Sequence, residues 1–219
     1  MPDKKLLIAV SGDVSVSALL TPARDARWTY VYAPGAGSNL GDAFGAVLAR
    51  ELPARNVAVV RFQFPYMEAG RRGPDRPPVL ESTWRAVIDA VRPLATSRLI
   101  VGGRSMGGRI ASAVVAWGAK VDALALFAYP LHAPGKPDQL RDAHFPSIGV
   151  PTLFCSGTRD AFAAPDELRA AARKVKASHV HILDGADHGF SVPKSSGRTK
   201  DDVARDAVDA MLQWLNTIN

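Results

Sequence analysis

The stretch LIVGGRSMGGRIAS, residues 99–112, constrains this chain more than any other. It opens with a continuous apolar run, RLIVGG at 98–103, of the kind that forms a strand buried on both faces. It continues into a segment where Ile110, Ala113, Val114 and Trp117 recur at helical spacing, which predicts a helix opening at Met106 with those four residues along one face. Between the two lies Gly103-Arg104-Ser105-Met106-Gly107, a G-x-S-x-G. A strand that turns sharply into a helix forces the serine into a strained backbone conformation and lifts its hydroxyl above the sheet edge. Glycines two before and two after are expected because side chains there would collide across the turn. The serine also sits at a helix N-terminus, whose dipole stabilises developing negative charge. A glycine-rich helix entry with a capping serine is the plainer alternative. The buried strand before and the amphipathic helix after favour a nucleophile elbow.

The remaining sequence repeats the same alternation. Further strands are predicted at 14–23, 28–35, 57–65, 123–130, 151–157 and 179–187. Helices are predicted over 39–53, where Leu40, Phe44, Val47, Leu48 and Leu52 share a face, and over 79–95, where Leu80, Trp84, Val87, Ile88 and Val91 do. Two more follow, one from Pro165 and one near 201–217. Strands alternating with helices imply an α/β fold with a mostly parallel sheet, and function then lies beyond the carboxyl ends of the strands. No linker, repeat or low-complexity tract divides the chain, so residues 1–219 are expected to form a single domain.

A serine hydroxyl needs a base to take its proton. After an elbow of this kind the partners follow in the order acid, then histidine. His188, in DGADHGF, falls just past the last predicted strand in a glycine-flanked loop and is the expected base. His179 and His181 alternate within that strand and serve packing or exposure. His132 and His144 lie in the loop after FAYP, and His132 is a candidate to line the site. Asp160, after the glycine turn that ends PTLFCSG, is the expected acid. Asp184 and Asp187 compete, but adjacency to His188 in sequence does not orient an imidazole well. A tetrahedral oxyanion needs two donors: the backbone N–H of Met106, and one from YAPGAGSN, where Gly35 and Gly37 turn an amide inward and make Ala36 the candidate.

Over nearly its whole length the chain resembles the small α/β-hydrolases of the dienelactone-hydrolase-like kind. More narrowly, it resembles a bacterial group related to a testis-expressed protein and to a subunit of the NSL histone-acetyltransferase complex. The segments that carry this are APGAGS, FPYMEAGRRGPDRPP, GGRSMGGR, YPLHAPGKPDQLR, PTLFCSGTRD and DHGF followed by PKSSGRT. The resemblance implies an α/β-hydrolase fold with an eight-stranded sheet flanked by helices, and a Ser105–Asp160–His188 triad. Such proteins often carry His-Gly where this chain has Pro34-Gly35. The donor is an amide further on, so the oxyanion hole is expected to survive, reshaped.

Two functions compete: a serine hydrolase acting on a carboxylic ester or thioester, and a non-catalytic binding or scaffold protein on a hydrolase fold. A complete triad with its oxyanion hole favours the first. No cofactor or metal is expected, since no HExxH, Cys/His cluster or P-loop occurs. The net charge of +6 comes from scattered basic residues without the aromatic interleaving of a nucleic-acid groove, so no nucleic-acid partner is expected. No apolar run approaches a membrane span or a signal segment, so no membrane partner is expected. The lone Cys155, taken as an inert buried thiol, forms no internal disulfide and fits a cytoplasmic setting. Between FAYP and PTLFCSG the chain is short and broken by Pro134, Pro137 and Pro146, which predicts an open site without a lid domain. The expected partner is a small acyl substrate, anionic if Arg104, Arg71, Arg72, Arg76 or Lys194 faces the site. Arg104, Arg72 and His132 are the candidate substrate contacts.

Overall fold

A computed structural model describes residues 2–95 and 98–218. Eight strands form one sheet: β1 Lys4–Ser11, β2 Val14–Thr21, β3 Trp28–Ala33, β4 Val57–Phe62, β5 Arg98–Arg104, β6 Ala123–Phe127, β7 Thr152–Gly157 and β8 Ser178–Leu183. Their order across the sheet is β1-β2-β4-β3-β5-β6-β7-β8. The pairs β1–β2 and β2–β4 are antiparallel and all others parallel. The mostly parallel order is the one expected from the alternation of elements, and the eight strands are the number the resemblance implied; β1 was not among the strands predicted from the residue pattern.

Among the described residues, six helices flank the sheet: α1 Ala43–Glu51, α2 Pro65–Glu68, α3 Pro77–Val91, α4 Met106–Ala116, α5 Pro165–Ala172 and α6 Lys200–Thr217. Alternation along the strands divides the interior into two layers. Val31 and Ala33 of β3 pack with Leu80, Trp84, Ile110 and Leu168, so α3, α4 and α5 cover one face. Trp28, Tyr30 and Tyr32 of the same strand pack with Phe44, Leu48, Val208 and Trp214, so α1 and α6 cover the other. Cys155 lies in this second layer, and burial pushes its thiol up, as an inert core residue requires.

Several boundaries differ from the sequence reading, each for a physical reason. β1 carries no clean alternation and exposes Leu7 to 76%; it is an edge strand recruited by a two-residue hairpin in which Gly12 takes φ +50°. β4 stops at Phe62 because Pro65 opens the short helix α2. The helix predicted from residue 39 begins only at Ala43. Asp42 caps it by accepting a hydrogen bond from Gly45 N–H at 2.8 Å, leaving Leu40 in the preceding turn. Trp117 does not share the buried face of α4: the helix ends at Ala116, and Trp117 is 55% exposed. Among the described residues, the connection from β6 to β7 carries a single 3₁₀ turn, Phe145–Ser147, so no lid domain covers the sheet edge.

Trp84 ties α3 to the rest. It is fully buried, meets the Phe62 ring edge-on at 4.8 Å, and its indole N–H donates to the Gly107 carbonyl at 3.1 Å. Trp84→Ala is expected to cost about 3–5 kcal/mol by opening a cavity. Trp84→Phe, which mainly forfeits that hydrogen bond, should cost about 1–2 kcal/mol. Urea unfolding of both variants checks the order, and an alanine variant as stable as wild type would contradict this role for Trp84.

Candidate active site

The carboxyl ends of β3, β5, β6, β7 and β8 meet at one edge of the sheet. Ser105 stands at the junction of β5 and α4 with φ +51° and ψ −119°, a strained conformation for a residue bearing a side chain. The glycines around it answer a different crowding from the one the motif suggests. A Cβ on Gly103 would stand 2.1 Å from the Ala33 carbonyl oxygen, and one on Gly107 2.3 Å from the same atom. The obstacle for both is the end of the neighbouring strand β3. It is Gly108 that faces Gly103 across the turn, where a Cβ would meet the Gly103 carbonyl oxygen at 2.6 Å.

His188 and Asp160 converge on Ser105 from the loops after β8 and β7. The Ser105 hydroxyl lies 2.9 Å from His188 Nε2, and His188 Nδ1 lies 2.9 Å from both oxygens of Asp160. An ionised carboxylate only accepts, so a neutral imidazole with its proton on Nδ1 satisfies both contacts and leaves Nε2 free to accept from the hydroxyl. Asp160 is buried and held by two further donors, Ser156 O–H at 2.8 Å and Phe162 N–H at 2.9 Å. Phe162 also stacks on the imidazole at 4.0 Å between centroids. Neither supporting residue was legible in the sequence, although Phe162 lies only two residues past Asp160. The competitor Asp187 accepts from Gly189 and Ser191 N–H within its own loop, and Asp184 is exposed.

Ser105, His188 and Phe162 line a cavity of about 530 Å³, together with Ala36, Met106 and Arg104. Met106 is the first residue of α4, where backbone N–H groups have no intrahelical acceptor. Ala36 is exposed and lines the cavity, and a Cβ added at Gly35 beside it would meet the Ser105 Cβ at 3.5 Å. The loop between β3 and α1 is organised by Asp42. Its carboxylate accepts from Tyr32 O–H at 2.6 Å, Ser38 O–H at 3.2 Å, Gly45 N–H at 2.8 Å and the Arg104 guanidinium at 3.2 Å.

The expected substrate contacts fare differently. Arg104 lines the cavity, but its charge is engaged by Asp42. Arg72 is exposed and lies in a separate cavity beside Gly37 and Tyr66. His132 does not line the site: it is 5% exposed, its Nδ1 stands 2.9 Å from the Ala133 carbonyl and its Nε2 3.1 Å from Glu167. His144 pairs with Ser112 at 2.8 Å outside the cavity, and burial lowers its pKa. Arg71 is bound to Asp75, and Arg76 and Lys194 are exposed outside the cavity lining. Two arginines that were not singled out, Arg109 and Arg141, line the cavity instead. Arg109 was accessible to sequence reasoning, being one helical turn beyond Ser105; Arg141 was not. Among the described residues, no group of three or more His, Cys, Asp or Glu could hold a metal ion, and no helix is long and apolar enough to cross a membrane.

The sheet order, the strained serine at the β5–α4 junction and the histidine and carboxylate beside it define an α/β-hydrolase fold. The chain belongs to the family of alpha/beta hydrolase domains, which matches residues 26–216. Solved structures of the same fold cover almost all of it. Est1E from Butyrivibrio proteoclasticus is 12% identical with a TM-score of 0.77, covering 97% of this chain and 99% of that one. A serine hydrolase without a lid from Xanthomonas campestris is 17% identical with a TM-score of 0.73, covering 97% and 95%. A dienelactone hydrolase from Anabaena variabilis is 18% identical with a TM-score of 0.74, covering 99% of both chains.

The His132–Glu167 pair makes a testable contribution to stability. The Ala133 carbonyl, and after it Glu167, raise the His132 pKa; His132 in turn lowers that of Glu167. The raised histidine stabilises fully below its unfolded value of about 6.5 and loses that contribution as pH rises through its folded pKa. The depressed carboxylate stabilises above about 4.3 and loses its contribution as pH falls. His132→Gln is therefore expected to lower Tm more at pH 5.5 than at pH 8.5. A Tm difference independent of pH would show that the pair carries no such linkage.

Proposed function

We propose that this chain is a serine hydrolase that cleaves a carboxylic ester or thioester through an acyl-enzyme. The observation that carries this reading is the continuous hydrogen-bonded chain from Ser105 through His188 to buried Asp160, opening on a cavity at the carboxyl edge of the sheet. In the first half-reaction Ser105 Oγ attacks the acyl carbon while His188 Nε2 takes the hydroxyl proton. Asp160 keeps the imidazole in the required tautomer and offsets its positive charge. The tetrahedral oxyanion accepts hydrogen bonds from the N–H groups of Met106 and Ala36. Collapse breaks the bond to the leaving group, which departs with the proton from His188. Water then attacks the acyl carbon with His188 again as base, the Ser105–acyl bond breaks, and Ser105 regains its proton.

The substrate is a small or medium soluble acyl compound that enters an uncovered cavity. The whole of 1–219 acts as one such domain, and its quoted segments support placing it in the bacterial group related to the testis-expressed protein and the NSL-complex subunit. A cytoplasmic setting is supported by the lone, buried Cys155.

Ser105→Ala is expected to lower turnover of p-nitrophenyl acetate by a factor on the order of 10⁶, with circular dichroism unchanged. A fluorophosphonate should add its mass to wild type at Ser105 and leave the variant unlabelled. Activity retained in Ser105→Ala would overturn the nucleophile. A wild type that neither turns over esters nor takes the label would favour the scaffold reading. Because nothing must open over the cavity, the rate should follow simple saturation as p-nitrophenyl butyrate passes its solubility limit. A jump in rate at that limit would contradict the uncovered site.

A further inference from the structure

Five charged or titratable side chains line the Ser105 cavity: Asp75, Arg104, Arg109, Arg141 and His188. His188 is bound to Asp160, and Arg104 is bound to Asp42. Asp75 accepts from the Arg71 guanidinium on one oxygen and from Tyr66 N–H at 2.9 Å on the other. Arg109 and Arg141 remain. Among the described residues, neither guanidinium forms an ion pair with a carboxylate. Among the described residues, the Arg141 side chain donates only to the Pro130 carbonyl, at 3.3 Å, and the Arg109 side chain makes no hydrogen bond. The charge of Glu81 acts on Arg109 without forming an ion pair among the described residues.

The backbone of each arginine is held in place. Arg109 N–H donates to the Ser105 carbonyl at 3.0 Å, which fixes it one turn along α4 from the nucleophile. Arg141 N–H donates to the Leu131 carbonyl at 2.7 Å, and Tyr129 O–H donates to the Arg141 carbonyl at 2.6 Å. The short β6–β7 connection, too short for a lid, thus delivers one charged side chain to the cavity wall. Burial, and the charge of Arg141, lower the Arg109 pKa from its ordinary value, while Tyr129 and Glu81 oppose this. A guanidinium desolvated beside another and lacking a carboxylate is stabilised when an anion enters. Its planar fork of donors matches a carboxylate in particular.

We propose that Arg109 and Arg141 form a carboxylate-binding subsite in the wall of the Ser105 cavity, and that the substrates are esters carrying a second, ionised carboxyl group. This rests on the hydrolase reading for its chemistry but not for its binding. The ester bond sits over Ser105 while the free carboxylate bridges the two guanidinium groups. Hydrolysis then releases a dicarboxylate or a hydroxy acid, according to whether the charge lies in the acyl or the alcohol part.

Two matched pairs test this in a pH-stat. Monomethyl glutarate against methyl valerate places the charge in the acyl part, and 4-acetoxybutanoate against butyl acetate places it in the alcohol part. At low salt, wild type is expected to prefer the charged ester in at least one pair by about tenfold or more in kcat/KM, which corresponds to about 1.4 kcal/mol. The ratio should shrink as ionic strength rises towards 0.15 M, where the Debye length is about 8 Å. Arg109→Gln should bring the ratio to about one, and Arg109→Lys should recover part of it. Arg85→Gln, which lies outside the cavity, should leave it unchanged. Calorimetry of glutarate binding to Ser105→Ala gives a readout free of turnover, and binding should be lost when Arg109→Gln is added. Neutral esters turned over with no charged preference in either pair would overturn the subsite and leave the hydrolase reading standing. No ester turned over, with glutarate bound through Arg109, would overturn the hydrolase reading and leave the subsite. Glutarate binding that survives Arg109→Gln would overturn the subsite whatever the kinetics.

Discussion

The site depends on how closely the end of β3 approaches the turn between β5 and α4. The Ala33 carbonyl oxygen occupies the space that a Cβ on either Gly103 or Gly107 would need. Only backbone without side chains lets the third strand lie that near the fifth and still turn into a helix. The packing stays close just beyond β3, where a Cβ added at Gly35 would meet the Ser105 Cβ at 3.5 Å. An added methyl at either position would push β3 and its loop away from the serine. The strain at Ser105, with φ +51°, is the local cost of turning there, and it is held by packing on both faces of the sheet.

From that junction outward, two buried carboxylates, Asp160 and Asp42, each gather several donors. Asp160 is held by Ser156 and Phe162 before it meets His188. Asp42 gathers Tyr32, Ser38, Gly45 and Arg104 into one node, which joins a core strand, the β3–α1 loop and the residue beside Ser105. A buried carboxylate with that many partners is costly to disturb, because removing any donor leaves charge unsatisfied in a low-dielectric setting. The loops around Ser105 are therefore fixed by scaffold hydrogen bonds. Arg109 and Arg141 depart from this pattern, since their charges are not neutralised from within.

How much of this was legible from sequence varies with the range of the interaction. Local signals did well. The apolar run and the helical period around GGRSMGG placed Ser105 at a strand–helix junction, and the glycine turns after two later strands placed Asp160 and His188. Signals needing a partner elsewhere did poorly. β1 has an indistinct pattern because it is an edge strand, and Trp117 has a core residue's chemistry but falls one position past its helix. Arg72 and His132 were reasonable candidates by position in the chain, yet they lie outside the cavity.

The sequence by itself determined the alternation of strands and helices, the strand–helix turn at Ser105 and the chain order of Ser105, Asp160 and His188. Each of these is written in periodicity or in glycine placement within a few residues. Only the tertiary structure decided which charges the cavity keeps. Arg104 is engaged because Asp42, 62 positions earlier, lies beside it, and His132 is drawn off by Glu167, 35 positions later. Arg109 and Arg141 reach the same cavity because α4 and the β6–β7 connection both border it. A side chain's charge is neutralised by whatever lies within a few ångströms of it, and sequence separation carries no information about that distance.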